Sequence, residues 1–226
     1  MFDRIKKALG KAGIHMPATA AQTAGPVSEW AATQGFGFSI DDGRNIALEG
    51  NVGGRPWKLV LGRPTRNYIF GEEVRGRAEL GIDEGISVVV MNRALKESLE
   101  KRAYEMYTNE LQTSVDSRLP EEMRWLAMFE EFGWDSLPEA FWVRLAILSD
   151  RRETALKWID APLARLMTDW PAPAPSAEVP FVLLLLNGKA YLRMEYTPPE
   201  LATLQHAAHI FTSACESALA AFKPPE

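Results

Sequence analysis

The chain has 226 residues and a net charge of −5. It has one cysteine, Cys215, so an internal disulfide and a cysteine-based metal cluster are excluded. The charge is unevenly spread, because residues 1–26 have a balance of +3, residues 27–80 balance to zero and residues 81–226 carry −8. An acidic body of this kind argues against a nucleic-acid partner, since phosphate contacts need a basic stripe.

The N-terminal region is basic and rich in small residues. Residues 1–14 have the pattern of a short amphipathic helix, and residues 16–26 that of a flexible linker. We therefore interpret residues 1–26 as a flexible basic arm and residues 27–226 as a single domain. Weak contact of the arm with an anionic membrane surface is one option, and a disordered or self-docking terminus is the other.

No targeting or membrane-spanning segment is expected. The N-terminus lacks an apolar run that ends in a small-residue cleavage site, so we predict no signal peptide and a cytoplasmic location. The longest apolar run, Val179–Leu186, includes Pro180 and is too short to span a bilayer.

The first half of the domain has the pattern of an antiparallel sheet. A short helix is predicted at Val27–Gln34, with Ser28 as its N-cap. Short apolar segments then alternate with Gly, Asp and Pro turns that are too short for the crossovers of parallel strands. The predicted strands are Phe36–Ile40, Ile46–Val52, Trp57–Leu61, Asn67–Phe70, Val74–Leu80 and Ile86–Met91.

From Asn92 the apolar residues repeat with helical spacing, which predicts a helix to about Thr113. Three more helix starts follow, at Leu119-Pro120-Glu121, Ser136-x-x-Glu139 and Asp150-x-x-Glu153. Pro162 should kink or split the last of these helices. We interpret residues 117–171, approximately, as a helical insertion that is rich in tryptophan.

The stretch Phe181–Tyr196 predicts a hairpin around Asn187-Gly188, and a long helix follows that begins near Thr197. The predicted class is therefore α+β, with a mostly antiparallel sheet, an inserted helical block and a C-terminal hairpin plus long helix. A two-residue turn would place Leu184 opposite Tyr191 and Val182 opposite Arg193. We expect the hairpin to join the first sheet, with its second arm as an edge strand.

The first arm of this hairpin is apolar on both faces, so one of its faces needs a cover. The cover is either the Trp-rich helices of the same chain or another molecule, with the first favoured because compact proteins seldom expose such a patch. The residues of a possible interface are Val182, Leu184, Leu186, Trp125, Trp134 and Trp142.

Other chemical motifs are weak. His206-x-x-His209 has a metal-ligand spacing, but both rings should be exposed and no third ligand is near in sequence. Cys215 lies on the apolar side of the last helix, where a buried thiol is inert. Gly50–Arg55 is glycine-rich but precedes a strand, so it indicates a hairpin turn and not a phosphate loop. We therefore predict no catalytic, cofactor-binding or metal-binding residues.

Three functional classes remain open. The first is a non-enzymatic binding or adaptor protein whose partner is another protein or a second copy. The second is an enzyme with a dispersed polar site, and the third is a peripheral membrane protein anchored by its N-terminal helix. The polar groups of the second class would be Arg63, Arg66, Arg75 and Arg77 with Glu130, Glu131 and Asp135. No cofactor and no nucleic acid is expected, and a small-molecule ligand stays unknown.

Overall fold

A computed structural model of the chain describes residues 20–41, 45–110 and 121–222. These residues form one nine-stranded sheet and seven helices, which confirms the predicted α+β class. The strands are β1 Gly37–Ile40, β2 Ile46–Val52, β3 Arg55–Gly62, β4 Glu73–Glu79, β5 Val88–Asn92, β6 Glu130–Phe132, β7 Leu145–Ser149, β8 Phe181–Leu186 and β9 Lys189–Glu195. The helices are α1 Ala20–Gln34, α2 Arg93–Glu110, α3 Glu121–Met128, α4 Glu139–Arg144, α5 Arg152–Trp158, α6 Ala161–Thr168 and α7 Leu201–Ala221.

The strands are all antiparallel to their neighbours and lie in the order β1-β2-β3-β4-β9-β8-β5-β7-β6. The β8–β9 hairpin thus joins the first sheet, as predicted, and fills the gap between β4 and β5. The prediction of β9 as an edge strand is wrong, because β9 pairs with both β4 and β8.

The turn between β8 and β9 sets the predicted register. Asn187 and Gly188 both have positive φ, as a two-residue hairpin turn of this type requires. Leu184 pairs with Tyr191 and Val182 with Arg193, as the sequence indicates.

One face of the sheet carries the main core. Five helices, α1 and α4 to α7, contribute buried apolar side chains to it, and inward residues of the strands supply the rest. Trp158 of α5 is fully buried and its indole N–H donates to the carbonyl of Ala214 in α7, at 2.9 Å. This hydrogen bond satisfies the polar end of a large ring that would otherwise be costly to bury.

The opposite face carries a second core over β5, β7 and β8. It contains Val182 and Leu184 of β8 together with Leu99 of α2 and Met123 and Trp125 of α3. The cover that β8 needs is therefore supplied within the chain by α2 and α3. In this sheet β8 is buried on both faces, whereas β9 is the next strand and has one face that the helices do not cover.

Two strands lie inside the block that the sequence predicts as helical. β7 and β6 form one end of the sheet, next to β5. Every residue of β7 is buried, and a short, continuously apolar run cannot be told from a buried helix by its period. Conversely, Asn67–Phe70 is a loop and not a strand.

Several predicted helix starts shift. α1 begins at Ala20 and not at Val27, so Ser28 is not its cap. No side chain caps α4, α5 or α7, so the starts at Ser136, Asp150 and Thr197 are displaced. Pro162 does split its helix: Asp160 caps α6 by accepting a hydrogen bond from the amide of Leu163 at 2.8 Å.

Some predictions fall outside the described residues. The amphipathic helix of residues 1–14 and the helix start at Leu119-Pro120 belong to this group. The division into an arm and one domain stays a prediction, although residues 20–26 belong to α1. Of the helices that the structure describes, none is long and apolar enough to cross a bilayer.

Candidate functional site

On the second face of the sheet, the outward side chains change from charged to apolar halfway across. One cross-strand row, read from β2 to β5, runs Glu49, Lys58, Arg77, Tyr191, Leu184, Val89. The charged members lie in β2 to β4 and the apolar members lie under α2 and α3, with Tyr191 packed against the margin of the second core. The same register therefore gives one covered half and one half that these two helices leave open.

We call the uncovered half the open face. It is formed by the side chains that β2, β3, β4 and β9 direct away from the main core. Its principal members are Ala47, Glu49, Asn51, Pro56, Lys58, Val60, Arg75, Arg77, Tyr191 and Arg193.

A concavity of about 920 Å³ lies over the open face. Four basic side chains line it, against two acidic ones, Glu49 and Glu79, although the chain as a whole has a charge of −5. Val60 and Tyr191 supply apolar surface among these charges. The basic lining side chains are Lys58, Arg75, Arg77 and Arg193. The cavity is therefore locally positive in an acidic protein.

Two of the basic side chains are neutralised by close partners. Lys58 Nζ lies 2.7 Å from Glu49 Oε1, and Arg77 Nη2 lies 2.5 Å from Glu79 Oε1. Glu49 and Lys58 are directly opposed in β2 and β3, and Arg77 and Glu79 lie two residues apart on the same face of β4. These two pairs account for both acidic side chains of the lining.

The other two basic side chains, Arg75 and Arg193, lie directly opposite each other in β4 and β9. Like charges at opposed positions of a sheet repel each other. Both are near Glu73, whose carboxylate oxygens lie 3.9 Å from a guanidinium nitrogen of each arginine. At that distance the interaction is an ion pair without a hydrogen bond.

Glu73 is fully buried and is held in place from behind. Its Oε2 atom accepts hydrogen bonds from the amide of Thr65 at 2.6 Å and from the hydroxyl of Thr65 at 2.8 Å. Its Oε1 atom has no hydrogen-bond donor among the described residues. The buried carboxylate of Glu73 is therefore the acidic group near both arginines, and it is already hydrogen-bonded to the loop between β3 and β4.

A second buried carboxylate ties that loop to α3. Glu122 is fully buried, and its Oε1 atom accepts from Arg66 Nε at 2.6 Å and from the hydroxyl of Tyr68 at 2.9 Å. Burial and the negative charge of Glu122 raise the pKa of Tyr68 well above its usual range. Tyr68 therefore stays protonated as a donor, and the cluster holds the loop that borders the open face.

The structure separates the six residues of the sequence-predicted interface. Val182, Leu184 and Trp125 are buried inside the second core, and Leu186 is half-buried at its margin. These residues do not form an exposed patch, because α2 and α3 lie over β8. The remaining two, Trp134 and Trp142, pack edge to face with ring centroids 5.4 Å apart and contact the main core.

The polar groups that the sequence offers for an enzyme do not converge. Arg75 and Arg77 lie on the open face, whereas Glu130 and Glu131 lie in β6 at the far end of the sheet. Glu131 is engaged there by Arg93 at 3.0 Å and by Lys96 at 3.1 Å. Glu130 and Glu131 are therefore too far from Arg75 and Arg77 to form one site with them.

The two histidines of α7 differ in exposure. His209 is exposed, as predicted, but His206 is half-buried: its ring packs 4.6 Å from that of Trp170 and its Nε2 atom lies 2.7 Å from the carbonyl oxygen of Leu166. Burial lowers the pKa of His206. Within the described part of the chain, no group of three or more His, Cys, Asp and Glu is arranged to hold a metal ion.

Two further sequence predictions are confirmed by the geometry. Cys215 is buried, and this burial raises the pKa of its thiol to about 12. The glycine-rich segment is a hairpin turn, since Val52 pairs with Arg55 and both Gly53 and Gly54 have positive φ. Neither feature supplies a reactive group or a phosphate loop.

Sequence reasoning missed the arginine pair. Arg75 and Arg193 are far apart in the chain, and only the pairing of β4 with β9 brings them together. The signal that exists in the sequence is the outward position of Arg193 in the alternating arm of the hairpin. A scan against protein-family models and searches of curated proteins and of solved structures found no match for this chain.

Proposed function

We propose that the chain is a non-enzymatic binding protein whose open face receives an acidic segment of a partner protein. The observation that carries this proposal is the locally basic concavity of about 920 Å³ over β2, β3, β4 and β9. A positive cavity on an acidic protein attracts acidic ligands and repels basic ones, which favours a selective partner.

The shape and lining support an extended protein segment as the ligand. The cavity spreads across several strands, and the apolar surface of Val60 and Tyr191 lies between basic side chains. A segment that alternates acidic and apolar residues would match this arrangement. Tyrosine and arginine are also the side chains that protein interfaces favour.

The other functional classes have weaker support. An enzyme would need acid and base groups in one place, but the two acidic side chains of the lining, Glu49 and Glu79, are engaged in ion pairs. Self-association through the apolar face of the hairpin is not favoured, because α2 and α3 cover Leu184 on that face. Attachment to a membrane rests on residues 1–14, which lie outside the described part. The cytoplasm stays the proposed compartment.

A matched pair of variants at Val60 tests the proposal. Val60 is half-buried and lies on the open face, opposite Arg75 in the register. Val60→Glu adds a negative charge to the face, whereas Val60→Lys adds a positive one at the same position with a similar loss of β-branched packing. The probe is a fluorescein-labelled deca-glutamate peptide, followed by fluorescence anisotropy, with deca-lysine and deca-glutamine as controls.

The wild-type chain should bind deca-glutamate in preference to both controls, and the affinity should fall as salt rises. Val60→Glu should weaken this binding by about tenfold or more, which corresponds to about 1.4 kcal/mol, and Val60→Lys should preserve or strengthen it. Equal affinity of the wild type for all three peptides, or equal loss in both variants, would refute an acidic ligand on this face.

A further inference from the structure

The four basic side chains that line the cavity differ in how closely an acidic group approaches them. Lys58 lies 2.7 Å from Glu49, and Arg77 lies 2.5 Å from Glu79, which Lys189 also contacts at 3.3 Å. Arg75 and Arg193 share one carboxylate, that of Glu73, and each is 3.9 Å from it. Among the four basic side chains of the lining, Arg75 and Arg193 are therefore the two that have no acidic partner within hydrogen-bond distance in the described part of the chain.

These two arginines are also the less exposed ones. Their side chains are 27 % and 19 % exposed, whereas that of Arg77 is 58 % exposed. A charge in a partly desolvated position interacts more strongly with an added ion than a charge in open solvent does. Arg193 makes one further contact, a 3.3 Å hydrogen bond from Nη1 to the hydroxyl of Thr65, which orients the guanidinium group.

We propose that Arg75 and Arg193 form a clamp for one carboxylate group. A carboxylate bound between them would relieve the repulsion of two opposed guanidinium groups and would offer both the planar acceptor that these forks match. Two arginines less the charge of Glu73 leave a surplus of one, which a monoanionic carboxylate balances and a phosphate dianion exceeds. That this carboxylate belongs to a partner protein rests on the proposed function. That the bound group is a carboxylate is inferred from the two arginines alone.

Side-chain NMR tests the clamp without any peptide. The ¹⁵N-labelled chain is titrated with sodium acetate and, at matched ionic strength, with inorganic phosphate, and the Nε–Hε signals of the arginines are followed. Arg75→Lys and Arg193→Lys assign the two signals and keep the charge in each case. Acetate should shift the signals of Arg75 and Arg193 more than that of Arg77. Uniform shifts of all arginine signals, or a stronger response to phosphate, would overturn the proposal.

Peptide affinity then tests the clamp in its proposed setting. Arg75→Gln and Arg193→Gln should each weaken deca-glutamate binding by about tenfold, and Arg77→Gln by about threefold or less, because its charge is shared with Glu79. Lys157→Gln, an exposed charge change on α5, should leave the affinity unchanged. Far-ultraviolet circular dichroism checks that each variant is folded. Where a glutamine variant is not, the lysine variant at that position replaces it, because it keeps the charge but removes the planar fork and should also weaken binding more than Arg77→Lys does.

The outcomes separate the two proposals. Selective acetate shifts without preferential deca-glutamate binding would refute the acidic protein partner and support the clamp. Preferential deca-glutamate binding that Arg75→Gln and Arg77→Gln weaken equally would support the partner and refute the clamp. Deca-glutamine with a free C-terminus, compared with its amidated form, shows whether a chain-terminal carboxylate or a side-chain carboxylate is held: binding of the free form alone assigns the clamp to a chain terminus.

Discussion

Replacement of Leu184 by alanine tests whether α2 and α3 supply the cover of β8. Leu184 is 2 % exposed and belongs to the second core, to which the described residues contribute nine buried side chains. Leucine-to-alanine changes in such sites cost about 2–5 kcal/mol of the free energy of unfolding, depending on how far the surroundings collapse. Because half-buried side chains such as Leu186 and Tyr191 border this small core and can relax, we expect a loss of about 3 kcal/mol.

The assay is urea unfolding followed by tryptophan fluorescence, with the slope of the transition compared between variants. Leu186→Ala is the matched control, since it removes the same group from the same face of the same strand at a half-buried position, and it should cost about 1 kcal/mol. Equal costs at the two positions would contradict the burial gradient. A drop in molar mass by light scattering, with an unchanged free energy of unfolding, would show that another molecule covers Leu184.

Two further predictions concern buried polar groups. Arg66→Met removes the 2.6 Å partner of Glu122 and leaves a fully buried carboxylate with Tyr68 as its donor, so we expect a loss of about 3 kcal/mol in urea unfolding. Arg66→Met combined with Glu122→Gln should recover part of that loss, and a purely additive double variant would refute the coupling. The Cys215 thiol, whose pKa is raised to about 12, should not react with a disulfide reagent at pH 8 until the chain is unfolded. Rapid labelling of the native chain would contradict its burial.

The features that local chemistry determines could be predicted from the sequence. Asn187-Gly188 favours a two-residue turn with positive φ, and that turn alone fixes which residues of β8 and β9 face each other. Pro162 lacks an amide hydrogen and splits its helix for the same local reason. The apolar pattern on both faces of β8 correctly required a second cover.

The features that depend on distant pairing could not be predicted. The alternation of β9 has two explanations, an edge strand or an internal strand with one open face, and only its pairing with β4 decides between them. β7 is short and wholly buried, so its period carries no information about helix or strand. The pairing of Arg75 with Arg193 could not be predicted for the same reason, since the residues around Arg75 do not indicate that β9 is its neighbouring strand.

The position of the hairpin between β4 and β5 has a consequence for synthesis on the ribosome. β4 and β5 follow each other in the chain but leave a gap that only residues 181–195 can fill. Until those residues emerge, β4 and β5 lack the neighbours that pair with them in the finished sheet, and unpaired strand edges of this kind are sites at which chains associate. The sheet can therefore be completed only after residues 181–195 have been synthesised.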